Sequence, residues 1–173
     1  MKKLTLLAAV LFGIGAQAQN KNEVKVNILN TIIRASVEVG YERFIDTGQS
    51  VGVEVFINDR FSYYEEKGDK KFNTSSVALS YNFYLLNEGG SGYYFSPFFK
   101  YRFGDHEEVK DGIKVTTDMN AAIVGLGVGY KWVLRDQFTI SPYVNIGRNF
   151  STEVNDRFAA VEVNAGLGIG YRF

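Results

Sequence analysis

The 173-residue sequence contains no cysteine, so neither a disulfide staple nor thiol chemistry is available to it. Only two prolines interrupt it, Pro97 and Pro142, and a single histidine, His106, could serve as an imidazole base. Its 19 basic and 19 acidic residues balance, leaving no field of one sign to attract nucleic acid. Beyond residue 18 no apolar run approaches the ~20 residues that a membrane helix needs. A chain of this kind can enter a bilayer only as a closed barrel, because lipid offers no partner for unpaired backbone groups. Against these absences stand 15% aromatic residues and 18 glycines, a profile suited to many short strands.

The N-terminus reads as a secretory signal. Lys2 and Lys3 form a basic start, Leu4 to Ile14 an apolar stretch, and Ala16-Gln17-Ala18 a small-x-small cleavage pattern. That stretch is too short to span a bilayer. Residues 1–18 are therefore expected to be removed, leaving one domain over residues 19–173.

Along that domain apolar residues alternate with small or charged ones, the period of a strand with two different faces. Val161, Val163, Ala165, Leu167, Ile169, Tyr171 and Phe173 share one face, opposite Glu162, Asn164, Gly166, Gly168, Gly170 and Arg172. Eight strands are predicted, at 23–30, 35–45, 50–59, 75–86, 93–103, 121–133, 138–149 and 158–173. Short connections (46–49, 87–92, 134–137) alternate with longer polar ones (60–74, 104–120, 150–157), the asymmetry of an outer-membrane barrel. The first connection, at 31–34, is short. Pro97 and Pro142 fall inside strands, where each removes a ladder donor, and a bulge would be one way to absorb them.

Four strand ends resemble one another: Gly40-Tyr41, Ser80-Tyr81, Gly129-Tyr130 (with Trp132) and Gly170-Tyr171. Amphipathic rings favour the headgroup level, so Tyr41, Tyr81, Tyr130, Trp132 and Tyr171 are expected to form one aromatic girdle. Tyr101, Phe103, Phe150 and Phe158 would form the other.

The polar face carries both signs: Glu38, Glu42, Glu54 and Glu162 with Lys25, Lys100, Arg102, Lys131 and Arg172. In a soluble barrel this face would point outward and the glycines would weaken exposed strands to no purpose. Inside a narrow membrane barrel the same glycines leave room for long charged side chains. The expected fold is an all-β, eight-stranded, antiparallel up-and-down transmembrane barrel with a charge network in its lumen.

These features resemble the small bacterial outer-membrane β-barrel superfamily. The run Val24-Lys25-Val26-Asn27-Ile28-Leu29-Asn30, followed by Val37-Glu38-Val39-Gly40-Tyr41-Glu42, is similar to its uncharacterised branch. The resemblance implies an outer-membrane location, outer-membrane lipid as surroundings, and insertion by the barrel assembly machinery reading a terminal strand that ends in Phe173. It does not imply one activity, since related barrels serve as anchors, adhesins, enzymes or narrow channels.

Three functions can be weighed. An eight-stranded barrel is only wide enough for side chains to fill, and buried charges must pair, so a plugged lumen with a structural role or a loop-bound ligand comes first. A narrow, porin-like pore for water, ions or small solutes comes second, with Lys100, Arg102, Lys131 and Arg172 as its constriction. A lipid-modifying enzyme comes last. His106, in Asp105-His106-Glu107-Glu108, has no serine two residues on, so no catalytic residue is assigned. The same cluster is expected to form a solvated acidic segment, and neither a metal nor a cofactor is expected.

Overall fold

The computed structural model describes residues 21–59, 70–88, 91–110 and 113–173. The signal segment at 1–18 and the tip of the connection at 60–69 lie outside the described residues. Nine strands appear among those described: β1 (Asn22–Asn27), β2 (Val37–Asp46), β3 (Gln49–Ile57), β4 (Lys70–Glu88), β5 (Ser91–Lys110), β6 (Ile113–Asp118), β7 (Ala121–Leu134), β8 (Phe138–Asn149) and β9 (Val161–Arg172). Every pairing is antiparallel. The hydrogen-bonded order runs β4-β3-β2-β1-β9-β8-β7-β5, and β4 pairs with β5 to close the ring. Eight strands therefore form a closed antiparallel barrel. β6 stands outside it, paired only to the outer end of β5.

Both ends of the described chain and the short turns lie at one rim, where Asn22 and Phe173 exchange backbone hydrogen bonds at 3.1 and 2.9 Å. The long connections gather at the other rim, called outer below. Alternation decides which side chains enter. Glu162 and Arg172 of β9 are buried inside, whereas Val161, Val163 and Ile169 of the same strand stand out on the surface. Val128 is 54% exposed while Lys131 is 1% exposed, an inversion of the usual burial preference.

β4 begins at Lys70, inside the connection expected at 60–74, and the structure corrects the expected boundaries in three further places. The opening strand ends at Asn27 instead of running to residue 30. A helix, α1 (Ile28–Arg34), follows it and takes in the connection expected at 31–34. Asn27 caps this helix by accepting from the Asn30 N–H, and Ala35 ends it in the left-handed region at φ 50°. Its apolar residues Leu29, Ile32 and Ile33 fall at helical spacing, which a period-two reading passes over. Second, the expected loop 104–120 is mostly a hairpin of the extended β5 with β6. Third, a short helix, α2 (Thr152–Asn155), precedes β9, which starts at Val161 instead of residue 158.

The prolines are accommodated without bulges. Across Pro97 the register of β5 with β7 is unbroken, but on the β4 side the pairs stop at Ser80↔Phe98 and resume at Phe83↔Phe95. Across Pro142 the β9 pairing is continuous, while the β7 side skips from Gly129↔Tyr143 to Trp132↔Ile140. Each proline thus interrupts one ladder locally and leaves the register unchanged, because a missing N–H affects only the flank it would have faced.

Candidate functional site

The lumen is the candidate site, and it is built in layers. Nearest the rim of the chain ends, the Lys131 Nζ lies 3.0 Å from Glu23 Oε2 and 2.8 Å from Glu42 Oε2. Arg172 Nε donates to the same Glu23 oxygen at 3.0 Å, and Thr139 donates to the other at 2.9 Å. Ser50 and Tyr84 donate to the remaining Glu42 oxygen. Phe44 packs under both cations, 4.4 Å from the Arg172 guanidinium and 5.3 Å from the Lys131 ammonium. Glu23, Glu42 and Lys131 are at most 1% exposed, so each charge of this layer is buried against a partner.

A second ion-paired layer lies in the outer half. Lys100 lies 3.0 Å from Asp59 and 3.4 Å from Glu162, and Arg102 bridges the same two carboxylates. Ser76 donates to Asp59, and Asn149 donates to Glu162 at 3.0 Å. Asp59 follows the end of β3. Burial pushes its carboxyl up, but Lys100 and Arg102 more than offset this and hold it well below the usual carboxylate range. Level with this layer and beyond it, Met119, Ala121, Ile123 and Val154 form an apolar cap with Phe98 and Phe158 against it.

Between the layers Lys25 pairs with Glu54 at 2.5 Å, and Tyr143 donates to Glu38 at 2.7 Å. A cavity of about 40 Å³ remains here, bordered by Lys25, Glu54, Tyr94, Tyr143, Lys100 and Glu162. It is polar and large enough for a few water molecules. Glycines open the walls. A Cβ at Gly170 would come within 2.4 Å of Thr139 Oγ1 and 2.8 Å of Glu23 Oε1, and one at Gly129 within 2.5 Å of the Tyr94 hydroxyl.

All nine charged residues singled out from the sequence sit on the inner face. Two further acids belong with them. Glu23 shares the inward parity of Lys25, so extending the alternation two residues back would have found it. Asp59 could not be found that way. Inward residues of β3 are even-numbered, but Asn58 turns left-handed at φ 60° and swings the following odd residue inside. Glu38 differs from the other inner acids. Among the described residues no cation lies within ion-pair distance of it, and its partners are Tyr143, Asn27 at 3.0 Å and Asn30 at 3.4 Å. A glutamine can accept from the two amides and donate to the hydroxyl. Glu38→Gln is therefore expected to change unfolding free energy by less than about 1 kcal/mol, whereas Glu42→Gln is expected to lose several times that. Urea unfolding of the two variants side by side checks this.

The outer surface carries the aromatic residues. Tyr41, Tyr81, Tyr130, Trp132 and Tyr171 all have outward parity near the rim of the chain ends, and Phe173 follows them. The Tyr130 ring lies 4.7 Å from both Tyr93 and Trp132, and Tyr171 lies 5.4 Å from Phe138. Toward the outer rim Tyr101, Phe103 and Phe150 are exposed, at 46–60%. Phe158 departs from expectation: it turns inward, 5.5 Å from the His106 ring. His106 itself is on β5, buried, and faces Glu108 at 3.9 Å, in place of the solvated acidic segment expected there. Among the described residues no cluster of three or more potential ligands could hold a metal ion.

A family model described as "Protein of unknown function (DUF3575)" matches residues 3–171. The chain belongs to this family. No curated protein matches the DUF3575 chain. Solved structures do. The N-terminal β-barrel domain of Pseudomonas aeruginosa OprF aligns with a TM-score of 0.58 at 15% identity, over 91% of this chain and all of that one. Neisserial surface protein A aligns at 0.52 and 10% identity, over 88% of this chain and 94% of that one. Ail, the attachment invasion locus protein of Yersinia pestis, aligns at 0.52 and 12% identity, over 88% and 97%. At these identities the likeness is one of fold: this DUF3575 member has the fold of the small eight-stranded outer-membrane barrels.

Proposed function

We propose that this chain is a non-enzymatic integral barrel of the bacterial outer membrane with a closed lumen, serving the envelope structurally or through a ligand bound at its outer loops. The observation that carries this reading is the pair of ion-paired layers, Glu23–Lys131–Glu42–Arg172 and Asp59–Arg102–Glu162–Lys100, stacked across the bore. The exposed Val, Ile and Leu belt between two aromatic zones supports lipid as its surroundings. Delivery through a cleaved signal at residues 1–18 and insertion through the Phe173 strand by the barrel assembly machinery belong to the same proposal. The hairpin of β5 and β6 rises beyond the ring and offers the loops a firm base.

The cavity of about 40 Å³ favours a second reading, a narrow pore whose constrictions are the two layers. Liposome swelling separates the two. Vesicles holding the refolded protein, with insertion shown by heat-modifiable migration, are expected to swell in small sugars and amino acids no faster than protein-free vesicles. Faster swelling that depends on solute size would replace the closed barrel by the pore.

A further inference from the structure

The barrel wall is not made of strands all the way around. β1 pairs with β9 only from Glu23↔Arg172 to Asn27↔Gly168, and with β2 only from Asn22↔Arg43 to Val26↔Val39. Beyond Asn27 the ring lacks a strand between β9 and β2. Helix α1 occupies that interval and packs against both neighbours.

The two faces of α1 differ sharply. Asn27 and Asn30 turn into the lumen, where the Asn30 amide donates to Asn164 at 3.0 Å and Asn27 donates to Glu38. On the other side Leu29, Ile32 and Ile33 are 37, 80 and 59% exposed. They continue the apolar surface of Val26 and Val39 and of the neighbouring Val163 and Ile169. The register places this face low. Asn30 reaches Asn164, whereas the outward-pointing Arg148, 5.9 Å from the Phe150 ring, pairs with Val161 three residues further toward the outer rim. The helix thus lies on the hydrocarbon side of the Arg148 level.

Backbone chemistry fits that position. A segment leaving a sheet in lipid must satisfy its own polar groups, which a capped helix does and an irregular loop does not. The Asn27 side chain accepts from Asn30 N at one end, and Ser36 N donates to Asn30 O at 3.2 Å at the other.

We infer that α1 is a lipid-contact element, its Leu29–Ile32–Ile33 face seated against acyl chains of the outer leaflet as the outer continuation of the β1 wall. This rests on the membrane-barrel reading above, and the test keeps the two apart. Single tryptophans are placed at Ile32, at Val163 in the belt and at Ile113 on the β5–β6 hairpin, each in a Trp132→Phe background. The proteins are refolded into phosphatidylcholine vesicles brominated along the acyl chains. Ile32→Trp is expected to show blue-shifted emission quenched at least half as strongly as Val163→Trp, with Ile113→Trp unquenched. Quenching of Val163→Trp alone would overturn the assignment of α1 and leave the barrel in the membrane. Blue-shifted but unquenched Ile32→Trp emission would put protein against this face and overturn the assignment too. Loss of quenching at Val163 as well, with circular dichroism showing a folded barrel, would overturn both.

Discussion

Lys131→Met is expected to lower the unfolding free energy by about 3–5 kcal/mol, the usual cost of removing one partner from a buried ion pair. The ammonium serves two carboxylates at 2.8 and 3.0 Å, with all three groups almost inaccessible. Without it Glu23 retains Arg172 at 3.0 Å, but Glu42 is left with Lys25 at 3.9 Å and neutral donors. Desolvation sets the cost, so charge balance should restore part of the loss. Adding Glu42→Gln to Lys131→Met is expected to cost less than the sum of the single changes, with a coupling on the order of 1–3 kcal/mol. Urea unfolding in vesicles, followed by Trp132 emission, measures all three variants. Full additivity would mean that the layer contributes no net pairing.

The second large effect is expected at Gly125. Glycine inside a strand ordinarily costs about 0.5–1 kcal/mol relative to alanine, so Gly→Ala should stabilise. Here the sign reverses. A Cβ at Gly125 would stand 2.3 Å from the Ile146 carbonyl oxygen, 2.7 Å from Gly147 Cα and 2.4 Å from the Phe98 ring. Two of these contacts are backbone, so the β7–β8 ladder itself must move. The Phe98 ring that fills the space is also part of the outer cap. Gly125→Ala is expected to destabilise by about 3 kcal/mol. At Gly127 the nearest atom is Asn145 Oδ1 at 2.2 Å, the end of a side chain that can rotate away. Gly127→Ala is therefore expected to cost less than half as much. Chemical unfolding and refolding yield compare the two, and equal costs would remove the backbone argument.

Period two makes most of this fold legible in the sequence. The alternation of Glu162, Gly170 and Arg172 with Val161, Ile169 and Tyr171 states which side chains go inside, and the opposed faces of the other strands do the same. Sequence patterning failed where the chain leaves that period. At Ile28–Arg34 the apolar residues switch to helical spacing over seven positions, too few to stand out next to a strand pattern. At Asn58 a single left-handed residue inverts parity, which hides Asp59. Phe158 lies outside any strand, so the alternation that sends aromatics outward does not govern it, and it joins Met119 and Val154. The hairpin of β5 and β6 is hidden in the sequence for a different reason. Asp105-His106-Glu107-Glu108 and Thr116-Thr117 carry no apolar contrast, although His106 and Glu108 still alternate inward.

The closed lumen proposed above rests on size and charge together. Eight strands leave a bore that side chains can fill. The inner acids Glu23, Glu38, Glu42, Glu54, Asp59 and Glu162 face the cations Lys25, Lys100, Arg102, Lys131 and Arg172 at contact distances, Glu38 excepted. On that proposal, loosening one layer is expected to leave the other as a seal.

Single-channel recording in planar bilayers tests this most directly, using the wild type beside Lys100→Ala/Arg102→Ala, with insertion verified by heat-modifiable migration. Silence from both proteins is the expected result, because the Glu23–Lys131–Glu42–Arg172 layer still closes the bore when the outer one is weakened. Discrete conductance steps from the wild type, altered in size by the double substitution, would contradict closure and make those cations the lining of a pore.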